Sequence, residues 1–192
     1  GVVATLKEIA AVLRECVSAS IEFESAIAGV YKTVDGTDEQ LQAIADSIKK
    51  MSLEIPATTT EIAAVAEAAG QLGIKTEDVI SFTKTMINLG VATNLTAEEA
   101  ASMLAKFTNI TGMDASKYEA LGSAIVELGN NYATTERDIV TMSTRLASSG
   151  RLAGLTEPEI LALATAMSSV GIEAEAGGTA MTQTLAGAAE II

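Results

Sequence analysis

From Val79 to Met167 the apolar residues come in short bouts at helical spacing. Val79, Phe82, Met86 and Leu89 share one face; Met103, Leu104, Phe107 and Ile110 share the next; Ile139, Met142 and Leu146, then Ile160, Leu163, Ala164 and Met167, follow. Positions three and four apart lie on one side of a helix, so each bout predicts a short helix with one buried stripe. The starts are marked by hydroxyl–x–x–carboxylate pairs at Thr58/Glu61, Thr96/Glu99, Ser116/Glu119 and Thr156/Glu159, with weaker versions at Thr76 and Thr135. In such a pair the hydroxyl and the carboxylate each accept one of the free N–H groups of a first turn. The ends are marked by Gly73, Gly90, Gly112, Gly129, Gly150 and Gly171, expected as left-handed terminators. Gly73 to Gly112 is 39 residues, Gly90 to Gly129 also 39, and Gly129 to Gly171 is 42. A two-helix unit of about forty residues is a helical-repeat period.

The first 34 residues have a different pattern, a continuous heptad. Leu6, Leu13, Ser20, Ile27 and Val34 occupy one position, and Val2, Ile9, Cys16, Phe23 and Val30 the other; only Ser20 is polar. Lys7, Glu8, Arg14, Glu15 and Glu22 fall outside that seam, as in a helix packed along its length against a partner. After the turn "VDGTDEQ", the positions Leu41, Ile44, Ile48, Met51 and Ile55 carry helical spacing on to Pro56. The expected fold is therefore all-α. A helical hairpin or coiled-coil arm (residues 1–56) precedes a domain (57–192) of about three short antiparallel helix pairs and a truncated final helix, packed as a compact helical-repeat-like bundle. The seam residues Leu6, Ile9, Leu13, Cys16, Ser20, Phe23, Ile27, Val30 and Val34 are the candidate protein-contact site, open to self-association.

Composition narrows the function. With three Phe, three Tyr and no Trp, the core must be built from aliphatic residues, Met and Ala, which implies closely packed helices. The net charge of −13 is shared by both segments, with five basic against nine acidic residues up to Pro56 and seven against sixteen beyond it. Phosphate neutralisation needs Lys and Arg, so no nucleic-acid surface is expected. The longest uncharged stretch is fourteen residues, Ala176–Ala189, short of the roughly 18 that cross a bilayer. The chain starts at Gly1 without Met and stops in the apolar Ile191-Ile192, and is read as a piece of something longer.

One Cys and no His remove imidazole bases, Cys–His pairs and soft metal sites, so no catalytic residue, metal or cofactor is expected. Glu77-Asp78 and Glu98-Glu99 sit in first turns, where the helix dipole favours acid whatever the function. Asp35-Gly-Thr-Asp38-Glu39 lacks the alternating ligands of a calcium loop. Gly177-Gly178 have no Lys behind them and two glutamates before them, so they are expected as a joint between helices and not as a phosphate loop. A lytic enzyme would need paired carboxylates across a cleft, and none is visible.

The order of several segments resembles the core region of phage tail tape measure proteins. "GIEAEAGGTAM" (171–181) resembles the signature near that region's end, "IEFESAIAGVYKTVDGTDEQLQAI" its entry, and "AAGQLGIKTEDVISFTKTMINLGVATNLTAEEAASMLAKF" its middle. The family usually has Leu-Arg after Thr-Ala. Here Met181-Thr182 stand instead, so no role of that Arg transfers. The resemblance implies a structural protein of a phage, prophage or tailocin tail whose length sets the tail's. Its partners would be tail tube and assembly chaperone proteins, and its location the virion tail, with the host cytoplasm during assembly. A helical-repeat adaptor binding a protein or peptide is the alternative.

Overall fold

The computed structural model describes residues 2–189, with side chains from 4 to 187. The heptad residue Val2 therefore enters by its backbone alone, and Ile191-Ile192 lie outside the described residues. Among the described residues the regular secondary structure is all helix. The helices are α1 (Val2–Thr33), α2 (Asp38–Glu54), α3 (Thr59–Gln71), α4 (Val79–Ala92), α5 (Ala97–Thr111), α6 (Tyr118–Asn131), α7 (Glu136–Leu152), α8 (Glu157–Ser169) and α9 (Ala174–Ala189). Short 3-10 turns, Thr76–Asp78 and Ala115–Lys117, lead into α4 and α6.

Local chemistry accounts for most of these boundaries. Thr58 Oγ1 accepts from the Glu61 amide at 3.2 Å while the Glu61 carboxylate accepts from the Thr58 amide at 2.7 Å. Thr96 and Glu99 repeat this at 3.1 and 2.9 Å. The Thr156 amide donates to Glu159 at 2.8 Å, and Thr135 caps through the Asp138 amide at 3.1 Å. Ser116/Glu119 is the exception. Asp114, not Ser116, is the capping side chain there, accepting from the Ser116 amide at 2.9 Å, and α6 starts only at Tyr118. Thr37/Gln40 forms a further reciprocal box inside the stretch read as a turn, and starts α2.

All six marked glycines lie within two residues of a helix end, but they do two different jobs. Gly73, Gly112 and Gly171 are left-handed, as is Gly154, and after Gly73 the Ile74 amide closes the corner on Ala69 O at 3.0 Å. Gly90, Gly129 and Gly150 stay inside the last helical turn, contrary to expectation. They serve close approach instead: a methyl group at Gly90 would sit 2.9 Å from the Ala97 amide nitrogen.

The packing is a two-layer stack. In one layer α1, α3, α5, α7 and α9 follow one another side by side; in the other, α2 packs on α4 and α4 on α6. Between layers α2 rests on α3, α4 on both α3 and α5, and α6 and α8 on α7. The main neighbour of α1 is α3, and that of α2 is also α3. One continuous core runs from Ile27 in α1 to Met167 in α8, with no break at Pro56. Its large members include Phe82, Phe107, Ile62, Met86, Leu104, Ile139, Met142 and Ile160, and buried alanines such as Ala66, Ala101 and Ala105 let the helices close up. Phe82 meets the Tyr118 ring edge-on at 5.4 Å. Ile110, expected in the α5 stripe, is instead exposed, and Ala100 and Ala101 are buried.

Gly177 and Gly178 are not a joint. Both are buried within the first turns of α9, where Gly177 lies against Ile172, Met167 and Met142, and Gly178 against Arg145. The lack of side chains there lets α9 lie close on α7.

Candidate protein-contact surface

The long heptad of α1 divides into two parts. At its C-terminal end Ile27, Val30 and Val34 are buried in the core. That end crosses α3 closely: a methyl at Gly70 would strike Val34 and the Thr33 carbonyl, and one at Gly29 the Glu67 carboxylate. Phe23 is half-buried, and the Lys49 ammonium of α2 lies 4.8 Å from its ring centroid, within cation–π range. Beyond Phe23 the same apolar face continues uncovered. Leu6 is 59% exposed, Leu13 60% and Ile21 61%, and Ile9, Val12, Val17, Cys16 and Ser20 are exposed with them. The structure thus brings Phe23, Ile27, Val30 and Val34 into the core and leaves Leu6, Ile9, Leu13, Cys16 and Ser20 on a ridge.

A second apolar feature was not foreseen. Both α6 and α8 rest on α7, and between them runs a groove of about 510 Å³ lined by Met113, Ala120, Leu121, Ala124, Leu128, Pro158, Leu161 and Ala162. Lys117 and Glu157 meet across one end at 3.7 Å, and Glu127 lies along the other. The equivalent groove one repeat earlier, between α4 and α6, is smaller, at about 330 Å³, and more polar, with Thr85, Asn88, Glu119 and Ser123 in its lining beside Leu89, Ala92 and Val126. Aligning Gly73, Gly112 and Gly154 puts Ala124 where Thr85 stands, and Leu161 where Glu119 stands. Those two exchanges account for the change of character, and comparing the repeats position by position could have found them.

Several polar groups tie repeat to repeat. Arg137 at the start of α7 grips the Glu99 carboxylate of α5 with two N–H groups, both at 2.8 Å, and reaches Asn94 O at 3.3 Å. The Arg137 guanidinium, with help from the Thr96 amide, holds the Glu99 carboxyl down at about 2. Arg145 pairs with Glu175 at 3.2 Å between α7 and α9. A polar cavity of about 600 Å³ lies between the corners that follow α3 and α5, lined by Lys75, Glu77, Asp78, Asn109 and Asp114 among others. Burial, then the Glu77 charge, pushes the Asp78 carboxyl up; the Ser116 hydroxyl and amide hold Asp114 down. Asn109 donates to Leu72 O at 2.8 Å, which joins those corners structurally. Among the described residues no three His, Cys, Asp or Glu side chains are grouped to hold a metal ion, and no helix is long and apolar enough to cross a membrane.

Stacked helix pairs with an uncovered ridge and an apolar groove make this an all-helical repeat scaffold. Its sequence matches the family model of the phage-related minor tail proteins over residues 45–190, three quarters of the chain, and the chain belongs to that family. It is also 26% identical over 175 residues to a protein of Halomonas phage phiHAP-1 named as a probable tape measure protein. That alignment covers 84% of this chain and 20% of the relative, so the chain spans about a fifth of that protein's length. The tape measure resemblance read from the motifs therefore holds. No solved structure matches the chain. The family match begins within α2 and leaves α1 outside it.

Proposed function

We propose that this chain is part of a tape measure protein of a phage or prophage tail, where it takes part in setting tail length and in assembly through protein–protein contacts. The observation that carries this is the family match running from α2 into α9, across every helix of the stack but α1. Its role is structural and not enzymatic, in keeping with a chain lacking His and having one exposed Cys. Its partners are tail tube subunits and a tail assembly chaperone, met in the host cytoplasm before the virion tail is complete. The exposed stretch of α1, with Leu6, Ile9, Leu13, Cys16 and Ser20, is a contact face and includes self-association among its uses.

Tail length tests the measuring role. A segment drawn out as one helix contributes about 1.5 Å per residue, so deleting Ile74–Gly112 would remove about 58 Å of tail. Neighbouring helices in a stack are about 8–10 Å apart, so deleting the same pair from a stacked arrangement removes only about 10 Å. The capped starts, closed corners and shared core favour the second value. Electron microscopy of particles carrying the deletion in the full-length parent should show tails shortened by far less than 58 Å. Normal tails of unchanged length would overturn the measuring role of this region.

A further inference from the structure

We propose that the groove between α6 and α8 receives the exposed face of α1 from a second copy of this chain, so that molecules join head to tail. This rests on the reading of α1 as a contact face and names what that face binds.

The two surfaces agree in apolar character, shape and charge. On α6 the groove lining runs from Ala120 to Leu128, about 12 Å of helix, with Met113 and Lys117 of the preceding corner extending it, so it takes the central part of the ridge that runs from Leu6 to Ile21 on α1. Leu121, Leu128 and Leu161 supply apolar depth, while Ala120, Ala124 and Ala162 leave room for a helix to settle between α6 and α8. Leu6, Leu13 and Val17 lie along one line of α1 by their spacing of seven and four, and would enter as a row of anchors. Beside that line, Lys7 and Arg14 share one edge, whereas Glu8 and Glu15 point to the far side. The groove lining carries Glu127 and Glu157 against Lys117 alone; Lys117 is paired with Glu157, and Glu127 accepts only from the neutral Asn131 amide, so its charge can face the basic edge.

The contact must form between molecules. Ile27, Val30 and Val34 fix α1 on α3, at the other end of the stack from α6 and α8, and the ridge remains exposed in its own chain. Ridge and groove are different surfaces on opposite ends of the molecule, so a single contact leaves one ridge and one groove free, and repeating it builds rows or closes them into rings.

Two variants of the whole 192-residue chain decide it. Leu13→Glu disables the ridge and Ala162→Glu the groove; both side chains are exposed, and unchanged melting by circular dichroism verifies the fold, with Ala120→Glu replacing Ala162→Glu if it does not fold. In sedimentation velocity from low to high micromolar concentration, the unmodified protein should form a ladder of oligomers and each variant alone should be monomeric. An equal mixture of the two should stop at dimers, because one intact ridge then meets one intact groove. If Ala162→Glu associates as well as the unmodified chain while Leu13→Glu does not, the arms pair with each other and the groove proposal falls while the contact face stands. If Leu13→Glu also associates normally, or the unmodified chain stays monomeric throughout, both fall. A mixture that remains monomeric overturns the head-to-tail contact.

Discussion

Gly177 and Gly187 occupy the same helix, and a methyl group added at each meets opposite surroundings. At Gly177 the new carbon would collide with Ile172 Cγ2 and lie 3.0 Å from Met167 Cε; at Gly187 nothing lies within 4 Å. Gly177→Ala should therefore lower the melting temperature by the equivalent of about 1–3 kcal/mol of overpacking, less any gain in helix propensity. Gly187→Ala should leave it unchanged or raise stability by up to about 1 kcal/mol. Thermal denaturation followed at 222 nm distinguishes the two signs. Glu99 predicts a pH dependence. Its carboxyl is held at about 2 by Arg137 against an ordinary value of 4.5, so its contribution is complete above about 4.5 and is lost as pH falls towards 2. Capping keeps Glu61 and Glu159 low as well, while Asp78, raised by burial, opposes them. Melting temperatures should thus fall from pH 5 to pH 2, less steeply in Glu99→Gln, with the two proteins converging near the lower limit.

At the scale of helices, what could be read in advance was whatever a few neighbouring residues decide. A capping box closes within four residues and a stripe repeats within two turns, so α3, α5, α7 and α8 were legible with their starts. Gly178 was misread because its neighbour is Arg145, thirty-three residues away on α7. Gly90 and Gly129 end up near helix termini as expected, but their reason for being glycine is a close neighbour in the next helix, Ala97 and Glu136. The α6–α8 groove was missed for a similar cause, since it exists only where two helices that are not adjacent in sequence fail to touch. The α1 seam was half-legible. Its period gave the face, and the periodicity alone could not tell that cover stops at Phe23. Ser20 lies on the uncovered part, so Ser20→Leu should leave the melting of the monomer unchanged and strengthen association several-fold, as read by sedimentation equilibrium.

For the molecule as a whole, a stack implies that a repeat can be removed without losing the frame. Gly73 and Gly112 are equivalent corners, so deleting Ile74–Gly112 joins α3 to the turn that introduces α6 at a matching position. The 153-residue product should remain helical and melt cooperatively, by calorimetry and circular dichroism alike. Loss of cooperative melting would show that the pairs are not interchangeable units. The forward half of α1 obeys a different thermodynamics from the stack. About twenty residues of helix without tertiary cover are marginal in water, because nucleation is unfavourable and only packing makes up the deficit. Backbone amides from Ala4 to about Ser20 should therefore exchange hydrogen quickly in dilute solution and slowly once the ridge is occupied. Docking of this segment is then coupled to its own ordering. Part of the binding energy is spent on fixing the helix, which keeps each contact weak enough to reverse while a growing assembly corrects its register.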